Sequence, residues 1–206
     1  MTALEIPGLP FPLRPEGQPP CEHRVDDGAL ILTSAPGTDL FADPAGGQPL
    51  PDAGRLLGVP PDGDFTLSAR VTVGFRDTYD AGVLLLHAGE RRWAKLCFEL
   101  SPQAMPMAVT VVTQGTSDDS NSFEVAGSSL WLRISRSGLA WAFHASTDGQ
   151  WWRLVRYFSL GDALGADGAG VRVGFLAQSP TGQGCTATFD HITVRAGAPA
   201  DLRDGS

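Results

Sequence analysis

The sequence predicts an all-β sandwich of two antiparallel sheets, on three observations. About ten β-prone runs follow one another at short spacing, and none carries the apolar period of an amphipathic helix. Glycine and proline are abundant, 25 and 16 residues, and punctuate the chain with tight turns. Two runs, 65–75 and 92–100, alternate apolar and polar side chains, as a strand does when one face lies in a core. A chain of 206 residues suits one such domain and is long enough to bury a substantial core.

Taken in order, residues 1–20 hold six prolines and are too interrupted for a helix. They are expected as an extension along the surface or a sheet edge, with Ile6, Leu9, Phe11 and Leu13 packed inward. The sandwich is expected over 21–195, and a frayed, flexible tail over 196–206. A short strand at 29–33 precedes a turn-rich loop, 34–54, over one rim. Its Asp39, Asp43 and Asp52 are spaced too irregularly for a calcium loop. In 65–75, Phe65, Leu67, Ala69, Val71, Val73 and Phe75 alternate with Thr66, Ser68, Arg70 and Thr72. A hairpin follows over 79–100, then a strand at 107–113, a polar loop (QGTSDDSNS), and strands near 123–125 and 130–136. In 139–146, Trp141, Phe143 and Ala145 oppose Ala142, His144 and Ser146. Asp148-Gly149 marks a turn, and 151–159 is the return strand. A loop of Gly, Ala and Asp over 161–170 leads to strands at 171–178 and 186–195.

Charge and cysteine usage narrow the function. A net charge of −8 argues against nucleic acid, which needs clustered Lys and Arg, and against anionic membrane surfaces. No apolar run is long enough to span a bilayer, and the first twenty residues lack the basic start and apolar stretch of a signal peptide. Cys21, Cys97 and Cys185 lie far apart with no C-x-x-C pair, which points to a reducing compartment. The expected location is therefore the cytoplasm.

The stretch most suggestive of a site is 92–100. Trp93, Lys95, Cys97 and Glu99 fall on one face of this strand, and Ala94, Leu96, Phe98 and Leu100 on the other. Lys95 is the only lysine; the other fourteen basic residues are arginine. Arginine and lysine differ in shape and hydration, so this position is a candidate for a compact point charge.

The runs YDAGVLLLHAGERRWAKLCFE, VTVVTQGTSDDS, LRISRSG, STDGQWWRLVR and VGFLAQSPTGQG, in this order, resemble the regulation-of-enolase protein family, the domain of unknown function numbered 1349. The resemblance covers roughly residues 20–195. It implies a concanavalin A-like jelly roll with a concave face like those that bind glycans in lectins and glucanases, and it implies no chemistry. Among the matching positions are Asp80, Gly82, Trp93, Lys95, Glu99, Ser117, Asp118, Asp148 and Trp151. The sequence departs from the family pattern at Cys97, often a glycine, and at Asp119, often a tryptophan.

Several chemistries are weighed on these residues. Glycoside hydrolysis needs two carboxyl groups, whereas the positions two and four before Glu99 are Cys97 and Lys95. His23, His87, His144 and His191 are scattered, so no metal or cofactor is implied. Cys97 is expected as an inert buried thiol, and Ser146 to Trp151, similar to a sialidase Asp-box, as a structural turn. Arg133 and Arg156 are candidates to pair with Glu99 or Asp118. The expectation is a non-catalytic, carbohydrate-like binding module with a groove lined by Trp93, Lys95 and Glu99. Tyr79, Asp80, Ser117, Asp118 and His144 are expected at its rim. The alternatives are a regulatory module whose partner is a metabolic enzyme, and a glycoside-active enzyme.

Overall fold

The computed structural model describes residues 3–50, 52–161 and 170–206. Among them stand fourteen strands and no helix: β1 (Arg14–Glu16), β2 (Glu22–Asp26), β3 (Ala29–Thr33), β4 (Arg55–Gly58), β5 (Phe65–Val73), β6 (Ala81–His87), β7 (Arg92–Leu100), β8 (Pro106–Gln114), β9 (Thr116–Glu124), β10 (Ser129–Ser137), β11 (Ala140–Ser146), β12 (Arg153–Ser159), β13 (Arg172–Gln178) and β14 (Thr186–Ala196). They form two seven-stranded sheets. The front sheet runs β1-β4-β13-β6-β7-β8-β9 and the back sheet β12-β11-β10-β5-β14-β3-β2. All strand pairs in both are antiparallel.

Alternation builds the core between the sheets. In β5 the residues Phe65, Leu67, Ala69, Val71 and Val73 are buried, while Thr66, Ser68, Arg70 and Thr72 are only partly covered. Leu84, Leu86, Ala94, Leu96, Phe98 and Phe175 of the front sheet join them in one apolar cluster. Each of the Val, Leu and Phe side chains among them contributes about 1.5–3 kcal/mol when fully buried. Phe175 of β13 meets Phe189 of β14 edge to face at 5.0 Å, which joins the two sheets directly.

A second, smaller apolar cluster lies on the outer face of the front sheet. There Val83, Leu85, Trp93, Cys97, Val109 and Leu176 pack with Leu40 and Ala53 of the β3–β4 loop. That loop does not stay at a rim as expected; it crosses the sheet. Thr38 bridges to Ser179 just beyond β13. At the far end Ala42 N donates to Ser117 Oγ and Ser117 N to Ala42 O, 2.9 and 2.8 Å, at the start of β9. The loop therefore covers β6, β7 and β8, and this is why β6 and most of β7 are buried on both faces.

Elsewhere the expectations need correction at the edges. The polar run expected as a loop is edge strand β9, whose exposed faces leave no alternation to read. The first sheet begins inside the proline-rich stretch, where Arg14–Glu16 pairs with β4. The tail expected to fray turns back onto the outer face of the back sheet, where Gly205 is buried. Arg133 Nη2 donates to Gly205 O and His144 Nε2 to Leu202 O, both at 2.7 Å. The loop expected over 161–170 falls mostly outside the described residues. As expected, Asp148 Oδ1 accepts from Gln150 N and Trp151 N, and Gly149 takes a positive φ of 73°. The Asp-box-like segment is a turn.

Candidate functional site

Where the crossing loop stops short of the sheet it leaves a hollow of about 470 Å³. Lys95 and Glu99 of β7, Asp119 of β9 and Gln178 at the end of β13 form its polar floor. Phe41 and Leu50 of the loop, Tyr79 and Pro180 form apolar sides. Register explains the convergence. Lys95 pairs with Val111 and Val111 with Asp119, so the three side chains stand in one row on one face. Gln178 pairs with Ala81 and Ala81 with Glu99, which gives a second row.

Lys95 is 1% exposed. Its Nζ donates to Asp39 Oδ1 and to Gln178 Oε1, both at 2.9 Å. With its oxygen so engaged, the Gln178 amide turns its NH₂ outward, toward Glu99 Oε2 at 3.4 Å and Tyr79 O at 3.5 Å. One amide thus joins the ion pair to the carboxyl of Glu99. Burial pulls the Lys95 pKa down, but the acidic groups around it, Asp39 foremost with Cys97 and Glu99, together outweigh it and the net shift is upward.

Glu99 responds in the opposite sense. Burial pushes its carboxyl up to about 8, only partly offset by Lys95, because Asp39 has already claimed that charge. Burial raises Asp119 as well. At neutral pH the hollow therefore holds a compensated ion pair, a protonated Glu99 and an acceptor-rich wall. A neutral carboxyl donates one hydrogen bond and still accepts others.

The remaining expected residues fall as follows. Leu96 and Phe98 face the inter-sheet core and Trp93, Lys95 and Cys97 the outer side, as the alternation requires. Tyr79, 40% exposed, stands at the edge of the hollow with a left-handed φ of 69°, a strained conformation for a tyrosine. Asp80 is fully buried below it: Arg76 N and Asp77 N donate to Oδ2, and Ser179 Oγ to Oδ1 at 2.6 Å. It clasps the loop that presents Tyr79.

Six placements correct the expectation, and the first is Asp80, which lies below the hollow rather than at its rim. Trp93 does not line the hollow; it is 5% exposed beneath the crossing loop, in the second apolar cluster. Ser117 anchors that loop. Asp118 is one residue out of phase with Asp119 and pairs instead with Arg156, 2.9 Å away, from the other sheet. His144 belongs to β11 on the back sheet, where its neighbours in the strand, Phe143 and Ala145, occupy the core, so it faces the tail. Arg133 also bonds the tail rather than Glu99. Cys97 is buried beside Lys95, with burial pushing its thiol far up. Asp39, Asp119 and Gln178 complete the site without having been expected there.

No group of three or more His, Cys, Asp or Glu side chains among the described residues has the arrangement to hold a metal. No helix among them is long and apolar enough to cross a membrane.

With this geometry in view, comparison with known proteins is specific at the family level. The family described as protein of unknown function (DUF1349) matches residues 17–197. The chain belongs to it. No curated protein matches the chain. A functionally unknown protein from Saccharomyces cerevisiae is similar in structure over 89% of this chain and 96% of its own, with 23% identity and a TM-score of 0.77. A xylan β-1,4-xylosidase from Bacillus halodurans is similar over 85% of this chain, with 12% identity and a TM-score of 0.68. This chain spans only 34% of that enzyme. An alginate lyase from Klebsiella pneumoniae matches 85% of this chain and 84% of its own, with 14% identity and a TM-score of 0.54. At these identities the likeness establishes the jelly-roll sandwich and nothing of the chemistry.

Proposed function

We propose that this member of the DUF1349 family is a binding module for a small, neutral, polyhydroxylated molecule such as a mono- or disaccharide. The ligand lies in the hollow over Lys95 and Glu99. The observation that carries this reading is the floor of the hollow, where Lys95 is bonded to Asp39 and Gln178 while the Glu99 carboxyl, its pKa raised by burial to about 8, faces the cavity. Protonated at neutral pH, that carboxyl presents a donor and an acceptor together, as a sugar hydroxyl requires. Lys95 and Asp39 cancel each other's charge, so an anion finds no uncommitted cation there. Tyr79, Phe41 and Pro180 supply apolar faces for the C–H side of a sugar ring. A volume of about 470 Å³ sits within the range of small-molecule sites.

Isothermal titration against a panel of neutral and charged sugars tests this. The expected result is binding of a neutral sugar that Tyr79→Ala and Asp119→Ala each weaken about tenfold. Binding confined to charged compounds, or indifferent to both substitutions, overturns the reading.

One observation favours a second reading, glycoside hydrolysis. A protonated Glu99 and the Asp119 carboxyl face the same hollow, the acid and base that such a reaction employs. Turnover of aryl glycosides that disappears in Glu99→Gln supports hydrolysis; sugar binding without turnover leaves the binding module.

A further inference from the structure

A second hollow, of about 330 Å³, opens on the outer face of the back sheet, remote in the fold from Lys95. We propose that it binds a small carboxylate carried on a flat ring, with Arg133 and Arg195 holding the carboxylate and Trp131 and Trp152 holding the ring.

Charge is the first argument. The chain carries 23 acidic and 15 basic residues. Even so, two arginines and no acidic residue line this hollow. Arg133 is the more telling of the two, because it is only 8% exposed and makes no ion pair among the described residues. Its Nη2 donates to Gly205 O, its Nε is buried without a partner, and no hydrogen bond from Nη1 is found among the described residues. Burial lowers its pKa to about 10, which still leaves it charged at neutral pH. A covered cation with one neutral hydrogen bond is costly. A carboxylate offers the geometry that a guanidinium fork matches in two parallel bonds.

Aromatic surface is the second argument, and the backbone is distorted to provide it. The Arg133 guanidinium lies 4.3 Å from the centroid of the Trp152 ring. On the other side the His191 ring stands 5.3 Å from that of Trp131, tilted by 39°. His191 sits where β14 slips register against β5, between Asp190 and Thr193, with a left-handed φ of 49°. A bulge re-aims a side chain, and that φ is a strained conformation for a non-glycine residue. Gly149 packs so closely on Trp131 that a Cβ there would lie 2.8 Å from the indole. The Trp131 ring is therefore held in place from two sides. The volume is at the lower limit for ligand sites and admits one ring rather than a polymer. A bare tetrahedral anion would make no use of the indole surface that lines the hollow.

Sugar acids and aromatic acids share this chemistry, and the experiment separates them. Two-dimensional NMR of the full chain is titrated with glucuronate and with benzoate, and in parallel with glucose, benzamide and inorganic phosphate. The proposal expects one of the two acids to shift the Trp131 and Trp152 indole N–H signals. Its affinity falls about tenfold in Arg195→Gln and in Trp131→Ala, each checked for a native spectrum. The acid that binds identifies the source. Neither acid binding, a neutral counterpart or phosphate binding as well as the acid, or unchanged affinity in Arg195→Gln would each overturn it.

Discussion

Replacing Glu99 by glutamine should make the protein's stability less dependent on pH, in a direction that follows from the site. Below pH 4.5 the carboxyl carries its proton in both the folded and the unfolded chain. Between 4.5 and about 8 only the folded chain keeps it, so folding takes up a proton and stability falls as pH rises. The slope is about 1.4 kcal/mol per pH unit for one full proton. Across the window this amounts to no more than about 5 kcal/mol, and about half of that is a fair expectation because the carboxyl is only partly shielded from solvent. Above about 8 both states are ionised and the loss is complete. Glutamine keeps the size and the contact with Gln178, and it does not titrate. Urea unfolding of the two proteins from pH 5 to 8.5 should give similar stability at pH 5 and a Glu99→Gln protein more stable by about 2–3 kcal/mol at pH 8.5. Parallel curves for the two proteins would refute the assignment of a protonated Glu99.

Other perturbations have expected outcomes of their own. Lys95→Met leaves the Asp39 carboxylate and the Gln178 oxygen without their shared donor, so a loss of about 3–5 kcal/mol is expected in chemical denaturation, together with faster proteolysis in 38–53. Wild-type stability would show the pair to be dispensable. Trp93→Ala should cost about 3–5 kcal/mol, as a core truncation does, because the indole fills the cluster under the crossing loop. A stable Trp93→Ala protein would return the side chain to the open face. Burial raises the pKa of all three cysteines, Cys185 to about 12. Native protein at pH 8 should therefore leave an aromatic disulfide reagent unreacted until urea releases three thiols; rapid native reaction would contradict that burial.

The sandwich was legible because β5, β7 and β11 each set one face against the core, and alternation survives whatever covers the other face. Strand β9 was not, since TSDDSNSFE has solvent on most of both sides and no pattern to betray it. Alternation places the row from Trp93 to Glu99 on one face, yet Trp93 lies outside the hollow for a tertiary reason. Nothing local says that a distant loop, the one carrying Leu40 and Ala53, lies over half of that face. The same loop brings Asp39 to Lys95, a pairing across 56 residues that no spacing rule anticipates. Asp119 was within reach of the sequence, because a β9 strand in register with β8 puts it opposite Val111. The expected residue, Asp118, is one step out of phase, and in a strand that single step exchanges one face for the other. His144 shows the limit differently. Its alternation with Phe143 was plain, but alternation does not say to which sheet a strand belongs.

The Glu99 carboxyl that keeps its proton at neutral pH is the central feature of the hollow. Carbon-13 NMR of the side-chain carboxyls, followed from pH 3 to 10 and assigned with Glu99→Gln, measures that proton directly. A Glu99 midpoint near 8 is predicted; a midpoint near 4.5, the value of an ordinary exposed glutamate, would contradict the account.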